Sequence, residues 1–120
     1  MTETAYIGIG SNLNHPHENC KQAVVRLNAH PNVEVKSESS LYQTEPLGIK
    51  EQDWFVNAVI EVATGLDAEE LLTALLEIER AMGRVRQKKW GPRIIDLDIL
   101  FYGNRIINTT RLKIPHPEIA

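Results

Sequence analysis

Two aspartates, Asp96 and Asp98, lie in the apolar run from Ile94 to Tyr102 of this 120-residue chain. Branched and aromatic residues favour a strand there, and residues i and i+2 of a strand point to the same face, about 6.5–7 Å apart. Two carboxylates that converge in this way repel each other unless a positive charge lies between them. Mg²⁺ suits carboxylate oxygens and is usually held by one or two carboxylates together with substrate phosphates. The spacing therefore predicts a magnesium site that acts on a phosphate-bearing substrate.

The plain alternative is a solvated strand face that carries two acids. Strand alternation predicts Ile94, Leu100 and Tyr102 on the same face as the acids, so the carboxylates interrupt an apolar surface. Five cations also lie immediately upstream, between Gly83 and Arg93. These neighbours favour a ligand site over a solvated face.

Charge is unevenly distributed along the chain, although the formal net charge is only −3. Residues 1–79 hold 4 Lys and Arg against 13 Asp and Glu, a net charge of −9, whereas residues 80–120 hold 9 against 3, a net charge of +6. The total disfavours a generally basic nucleic-acid binder. The distribution predicts an electropositive region for anionic ligands next to the aspartate pair.

Length, cysteine content and hydropathy limit the class of protein. A chain of 120 residues is one domain of ordinary size. The single cysteine, Cys20, excludes an internal disulfide. No apolar stretch approaches about 18 residues, and the start lacks a charged segment followed by an apolar run. We expect a soluble, cytoplasmic protein that contacts no membrane.

The elements that position the acids follow from the spacing of apolar residues. Strands are predicted at 4–10, at 33–42 with an irregularity in the serines, at 54–64 and at 94–102. Helices are predicted at 17–29 and from the cap Asp67 to Gly83, with Glu70 as capping-box partner. This order is the split βαβ pattern. It predicts an α+β, ferredoxin-like βαββαβ core with an additional C-terminal hairpin and an antiparallel sheet with helices on one face.

Three residue patterns stay open on composition alone. Gly8-Ile9-Gly10 invites a dinucleotide-binding interpretation, but residue 13 is Leu where that motif needs a third glycine, so the signal is weak. Asn57 either caps a neighbouring backbone group or contacts a ligand. Trp90 either anchors a hinge of the basic segment 83–93 or stacks on a flat heterocycle. That segment is predicted to be a mobile loop that closes over phosphates, with Arg93 nearest the acidic strand.

The run from Lys89 to Leu100 resembles the signature of the 6-hydroxymethyl-7,8-dihydropterin pyrophosphokinase family of folate biosynthesis. Residues 6–13, 42–48, 55–58 and 114–117 carry the same resemblance in the same order. It implies a transferase that moves the terminal diphosphate of ATP onto the hydroxymethyl oxygen of the pterin and releases AMP. Residues 1–120 then form a single pyrophosphokinase domain.

The resemblance also implies roles for individual residues. Asp96 and Asp98 are implied to bind two Mg²⁺ ions, and the catalytic residues are Arg84, Arg93, Asp96 and Asp98. The implied ATP contacts are Glu79, Arg86, Trp90, Arg93, Arg111 and His116. The implied pterin contacts are Thr44, Glu45, Leu47, Phe55, Asn57 and Trp90. Phe55 stands where the family often has Tyr, which preserves stacking and loses a hydroxyl.

The chain ends at Ala120, whereas the family normally continues with a further strand and helix. We therefore expect a domain that lacks these elements, binds nucleotide weakly and self-associates through an exposed sheet edge, although the family is usually monomeric. Two alternatives follow: a weakly active form that only binds nucleotide, and a ferredoxin-like nucleic-acid-binding module. The second lacks the aromatic-glycine sequence of RNA-binding sheets and carries two acids on the sheet face.

Overall fold

The computed structural model describes residues 2–45, 53–84 and 92–117. In chain order the elements are β1 (Glu3–Ser11), α1 (Pro16–Ala29), β2 (Val33–Glu38), β3 (Tyr42–Thr44), β4 (Phe55–Thr64), α2 (Ala68–Ala81), β5 (Asp96–Tyr102), β6 (Ile107–Asn108) and β7 (Lys113–Ile114).

An antiparallel sheet in the order β2-β4-β1-β5 forms the centre of the fold, and β3 pairs with β4 on the same edge as β2. The predicted second strand is thus divided into β2 and β3 at the serines. Ser39 bridges the interruption, because its backbone N–H donates to Val59 O at 2.9 Å and its hydroxyl accepts from Val59 N at 2.8 Å. β6 and β7 form the expected C-terminal hairpin. The predicted ferredoxin-like α+β fold is confirmed.

Both helices cover one face of this sheet, and their apolar stripes form the core. α1 buries Cys20, Ala23 and Leu27, and α2 buries Leu71 and Leu75. Every second residue of each strand packs against the helices, so the residues of β4 are alternately half-buried and buried. The half-buried residues on the opposite face of β1, β4 and β5 form the open face of the sheet, and it is this face that carries the acids.

The ends of α2 are fixed by local chemistry. Asp67 accepts from Glu70 N at 2.8 Å and the Glu70 carboxylate accepts from Asp67 N at 2.9 Å, which is the predicted capping box. Gly83 has φ +92°, a left-handed conformation that favours glycine, so the chain leaves the helix there and directs Arg84 toward β5.

β5 changes face at Leu100. Ile7 pairs with Ile99 while Tyr6 pairs with Phe101, so Leu100 is an extra residue on β5 and the alternation reverses after it. Tyr102 is consequently buried on the helix side, where its hydroxyl donates to Leu66 O. The prediction that Tyr102 shares a face with the acids was wrong. The predicted start at Ile94 was also early, because the strand begins at Asp96.

Within the ranges that the structure describes, neither helix has the length and apolar content needed to cross a membrane.

Candidate active site

Asp96 and Asp98 lie on the open face of the sheet, side by side on β5. Leu97 and Ile99, between and after them, are buried against the helices. The register places Asp96 opposite Gly10 and Asp98 opposite Gly8. Each carboxylate therefore lies beside a position of the central strand that has no side chain of its own.

Each acid faces a basic side chain of the protein. Arg84 Nη1 lies 2.9 Å from Asp96 Oδ1, and His116 Nε2 lies 3.6 Å from Asp98 Oδ1. The pKa of Asp98 is raised from 3.8 to about 6, because burial and the nearby Asp96 raise it more than His116 and Arg84 lower it. The positive charge near the carboxylate pair therefore compensates its negative charge only in part.

Glu79 is the buried acid of the site, with 5 % of its surface exposed at the end of α2. Its Oε2 accepts from Leu97 N at 2.8 Å and from Arg84 Nη1 at 2.7 Å. Burial raises its pKa in spite of the opposing effects of these two donors. Glu79 therefore fastens the end of α2 to β5 and holds the Arg84 guanidinium beside Asp96.

Arg93 is positioned through its backbone at the end of β1. Its N–H donates to Asn12 Oδ1 at 2.8 Å, its carbonyl accepts from Asn12 N at 3.0 Å, and its guanidinium Nη1 lies 3.3 Å from Pro92 O. Asn12 was not among the site residues predicted from the sequence. An asparagine directly after a buried strand was the only sequence signal, because its partner is 81 residues away.

Arg111 and His116 line a cavity of about 240 Å³ beside Asp98, with Leu72, Leu97 and Leu112 among its apolar walls. Arg111 Nη1 lies 3.4 Å from Glu69 Oε2, and both side chains are about half exposed. A cavity of this size is smaller than a typical pocket for a whole ligand, which is about 300–1,000 Å³. The cavity therefore has room for only part of a ligand, with a cation and a histidine at its edge.

Phe55 and Asn57 lie on the open face of β4, across β1 from the acids. Asn57 Nδ2 donates to Thr44 Oγ1 at 2.7 Å, and a Cβ placed on Gly10 would lie 3.0 Å from Asn57 Oδ1 and 3.6 Å from Phe55 Cδ1. Asn57 and Asp96 are the two register partners of Gly10. Since neighbouring strands are about 4.8 Å apart, their backbones are separated by about 10 Å.

Some predicted site residues cannot be placed in this geometry. Leu47, Arg86 and Trp90 lie outside the described residues, as does most of the predicted basic loop. Glu45 is exposed directly after β3. The structure thus brings Thr44, Phe55 and Asn57 together on one side of β1. On the other side it gathers Glu79, Arg84, Arg93, Asp96, Asp98, Arg111 and His116 around β5.

The donor atoms at Asp96 and Asp98 are compatible with the predicted Mg²⁺. In the described part of the chain no group of three or more His, Cys, Asp and Glu side chains could hold a metal ion by itself. Two carboxylates on a shared face fit Mg²⁺, which is commonly held by one or two carboxylates and completed by waters and substrate phosphates. They do not fit a structural zinc site, which needs four protein ligands.

Comparison with known proteins identifies the family. Residues 6–120 match the family described as 7,8-dihydro-6-hydroxymethylpterin-pyrophosphokinase. The 2-amino-4-hydroxy-6-hydroxymethyldihydropteridine pyrophosphokinase of Haemophilus influenzae is 47% identical over 116 residues, which cover 97% of this chain and 72% of that protein. The Bacillus subtilis protein of the same name is 41% identical over 119 residues, 99% of this chain and 71% of that protein. The folic acid synthesis protein fol1 of Pneumocystis carinii is 43% identical over 117 residues, 98% of this chain and 16% of that protein. The chain belongs to the 7,8-dihydro-6-hydroxymethylpterin-pyrophosphokinase family.

Proposed function

We propose that this protein transfers diphosphate from ATP to the hydroxymethyl group of 6-hydroxymethyl-7,8-dihydropterin and releases AMP, as a step of folate biosynthesis. The observation that carries the proposal is the arrangement across β1. Asn57 and Asp96 lie on opposite sides of Gly10, with Phe55 next to Asn57 on β4 and Asp98 next to Asp96 on β5. Family membership supports the same reaction. A nucleic-acid-binding module is not favoured.

The β4 side of the open face is proposed to bind the pterin. The bonds from Asn57 Nδ2 to Thr44 Oγ1 at 2.7 Å and to Phe55 O at 3.4 Å fix the amide, and its Oδ1 is proposed to accept from a flat heterocycle with donors on its edge. Phe55 supplies an aromatic face for stacking. Leu47 and Trp90 are proposed to complete this pocket and Glu45 to lie at its edge.

The β5 side is proposed to bind the triphosphate. Asp96 and Asp98 would hold two Mg²⁺ ions, which when bound neutralise phosphate oxygens and lower the charge barrier to attack. Arg84 and Arg93 would contact the transferring phosphates, and a guanidinium fork matches their oxygens bidentately. Arg86, Arg111 and His116 would bind the rest of the nucleotide, with the cavity beside Asp98 as the place for its base or ribose.

The transfer itself is a displacement at the β-phosphorus. The hydroxymethyl oxygen forms a bond to that phosphorus, the bond from it to the α,β-bridging oxygen breaks, and AMP leaves with that oxygen. The hydroxyl proton is lost to solvent. In such reactions positioning and electrostatic stabilisation supply most of the catalysis, so no side chain in the described residues needs to act as a strong base.

The experiment that tests this proposal measures AMP from Mg-ATP with the hydroxymethyl pterin and with the matched 6-methyl pterin, which lacks the accepting oxygen. We expect one AMP per pterin diphosphate with the first compound and only background with the second. Formation of ADP instead of AMP would overturn diphosphate transfer. Equal AMP formation with both pterins would show that the protein hydrolyses ATP and does not transfer diphosphate to the pterin.

A further inference from the structure

Asn12, the first residue after β1, carries a buried amide with 2 % of the residue exposed. Its Oδ1 accepts from Arg93 N at 2.8 Å, and its Nδ2 donates to Asp53 O at 2.9 Å. Its own backbone N–H also donates to Arg93 O at 3.0 Å. One side chain therefore joins two segments that lie far apart in the sequence.

Those two segments lead into the two halves of the site. Asp53 lies two residues before Phe55 and four before Asn57, on the side proposed for the pterin. Arg93 lies three residues before Asp96, on the side proposed for the phosphates. A shift of either segment would move the side chains that touch one substrate relative to those that touch the other.

The sheet ladder does not hold these segments in place. The last paired residue of β1 is Ser11, opposite Val56, and the last pair toward β5 is Gly10 with Asp96. Beyond these pairs the Asn12 amide bonds to both flanking chains, to Asp53 on the β4 side and to Arg93 on the β5 side. A buried amide bonded at both ends is a stiff connection, because an unpaired polar group there would lose its hydration without compensation.

Asn19 of α1 supports the same region from the helix side. Its Nδ2 lies 2.8 Å from Leu13 O, 2.8 Å from Asn14 O and 3.2 Å from Ile94 O. With a further contact from Asn19 Nδ2 to Ser11 Oγ at 3.2 Å, the residues on either side of Asn12 and the residue after Arg93 are anchored to α1. The Asn19 contacts therefore hold the turn that contains Asn12 in a fixed position.

We propose that Asn12 is a positioning residue for the transfer: its single amide sets the spacing between the pterin side and the phosphate side of the site. This inference rests on the proposed function. Oδ1 holds the Arg93 segment, which leads to the residues proposed to bind the phosphates. Nδ2 holds the Asp53 segment, which leads to Phe55 and the proposed pterin side.

The test uses two substitutions of this residue. Asn12→Ala removes both bonds, and misplacement of reacting groups by about 1 Å can lower rates about 100-fold. We expect kcat to fall by about that factor and KM for the hydroxymethyl pterin to rise about tenfold. Asn12→Asp keeps an acceptor for Arg93 N and loses the donor to Asp53 O. We expect it to raise KM for the pterin while lowering kcat much less than Asn12→Ala does.

Thr64 supplies a matched control at the opposite end of β4. It is 1 % exposed, and its hydroxyl donates to Asn32 O at 2.8 Å and accepts from Leu66 N at 3.1 Å, so it also joins two segments. Thr64→Val removes both bonds with little change of shape. We expect a lower melting temperature with kcat and KM within about twofold of the wild type. If Thr64→Val lost as much kcat as Asn12→Ala, the effect of Asn12→Ala would be explained by general destabilisation and the proposal would be wrong.

Amide hydrogen exchange at Arg93 gives a readout that does not depend on catalysis. We expect its N–H to be protected in the wild type and in Asn12→Asp, and to exchange fast in Asn12→Ala, while Leu97 N stays protected in all three. Unchanged protection at Arg93 in Asn12→Ala would overturn the proposed bridge, as would unchanged kcat and KM. If the wild type formed no AMP, the proposed function would fail, and exchange at Arg93 would still decide whether Asn12 holds this segment.

Discussion

Replacing Asp98 by Asn should stabilise the fold and abolish turnover. Burial and the neighbouring Asp96 raise the pKa of Asp98 from 3.8 to about 6, so the ionised carboxylate destabilises the folded chain at neutral pH. Asn is nearly isosteric and uncharged. It should remove this cost together with the charge that a bound cation needs.

The size of the gain follows from the pKa and from exposure. A change from 3.8 to about 6 corresponds to about 3 kcal/mol at face value. However, 41 % of the Asp98 side chain is exposed, and solvent screening reduces such contributions, so we expect about 1 kcal/mol. For a chain of this length that is a rise of about 3–6 °C in Tm.

The gain should depend on pH in a definite direction. Because the pKa of Asp98 is higher in the folded state, folding favours the protonated acid. The wild type therefore loses this stability as pH rises from about 3.8 through about 6, whereas Asp98→Asn does not. The Tm difference between variant and wild type should be close to zero at pH 4 and reach its full value by about pH 7.

Thermal unfolding between pH 4 and pH 8, with AMP formation measured on the same samples, tests this prediction. Glu77→Gln is the control, because it removes the charge of an exposed residue on α2. It should leave Tm and turnover nearly unchanged. Mg²⁺ with an inert ATP analogue should raise the Tm of the wild type and not that of Asp98→Asn, since only a ligand of the folded state stabilises it. A lower Tm for Asp98→Asn at pH 7.5, or retained magnesium-dependent turnover, would refute the reasoning.

Three further predictions follow from the same contacts. Glu79→Ala leaves the buried Leu97 N–H without its acceptor and should lower the free energy of unfolding, measured by urea denaturation, by about 2–3 kcal/mol. Glu79→Gln keeps an acceptor, so we expect a smaller loss of stability. Equal losses in the two variants would contradict this prediction. Arg84→Ala should reduce kcat more than it weakens ATP binding, and unchanged kcat with weaker calorimetric affinity would make Arg84 a ground-state contact. Burial raises the pKa of the Cys20 thiol to about 11, so a thiol reagent should label the protein only as fast as the fold opens. Because the pKa is higher in the folded state, the free energy of unfolding should fall as pH rises from 9 toward 11. Fast labelling of the folded protein would refute this prediction.

The parts of the fold that depend on near neighbours were predictable from the sequence. The Asp67–Glu70 capping box, the apolar stripe of α1 and the shared face of Asp96 and Asp98 each involve residues within one or two turns or strand steps. Local geometry decides such features, so the periodicity of the sequence was sufficient. The element order then left few arrangements for the sheet.

The parts that failed or were missed depend on contacts between distant segments. The extra residue at Leu100 reverses the face of Tyr102, and only the pairing with β1 reveals it. The Asn12 bridge to Arg93 spans 81 residues, and the bond from Leu97 N to Glu79 Oε2 joins the end of α2 to β5 across 18 residues. No periodicity encodes such partners, since they arise from tertiary packing.

Glycine in β1 links the two halves of the site. Gly8-Ile9-Gly10 was a weak dinucleotide signal in the sequence, and the structure gives these glycines a different reason. A Cβ at Gly10 would come within 3.0 Å of Asn57 Oδ1, which is tighter than ordinary contact, and one at Gly8 would lie 3.2 Å from the Leu100 side chain. A side chain at residue 10 would therefore displace the amide proposed to bind the pterin, and one at residue 8 would press on Leu100. Glycine at both positions lets these neighbouring side chains lie close over β1, beside the acids proposed to bind the phosphates.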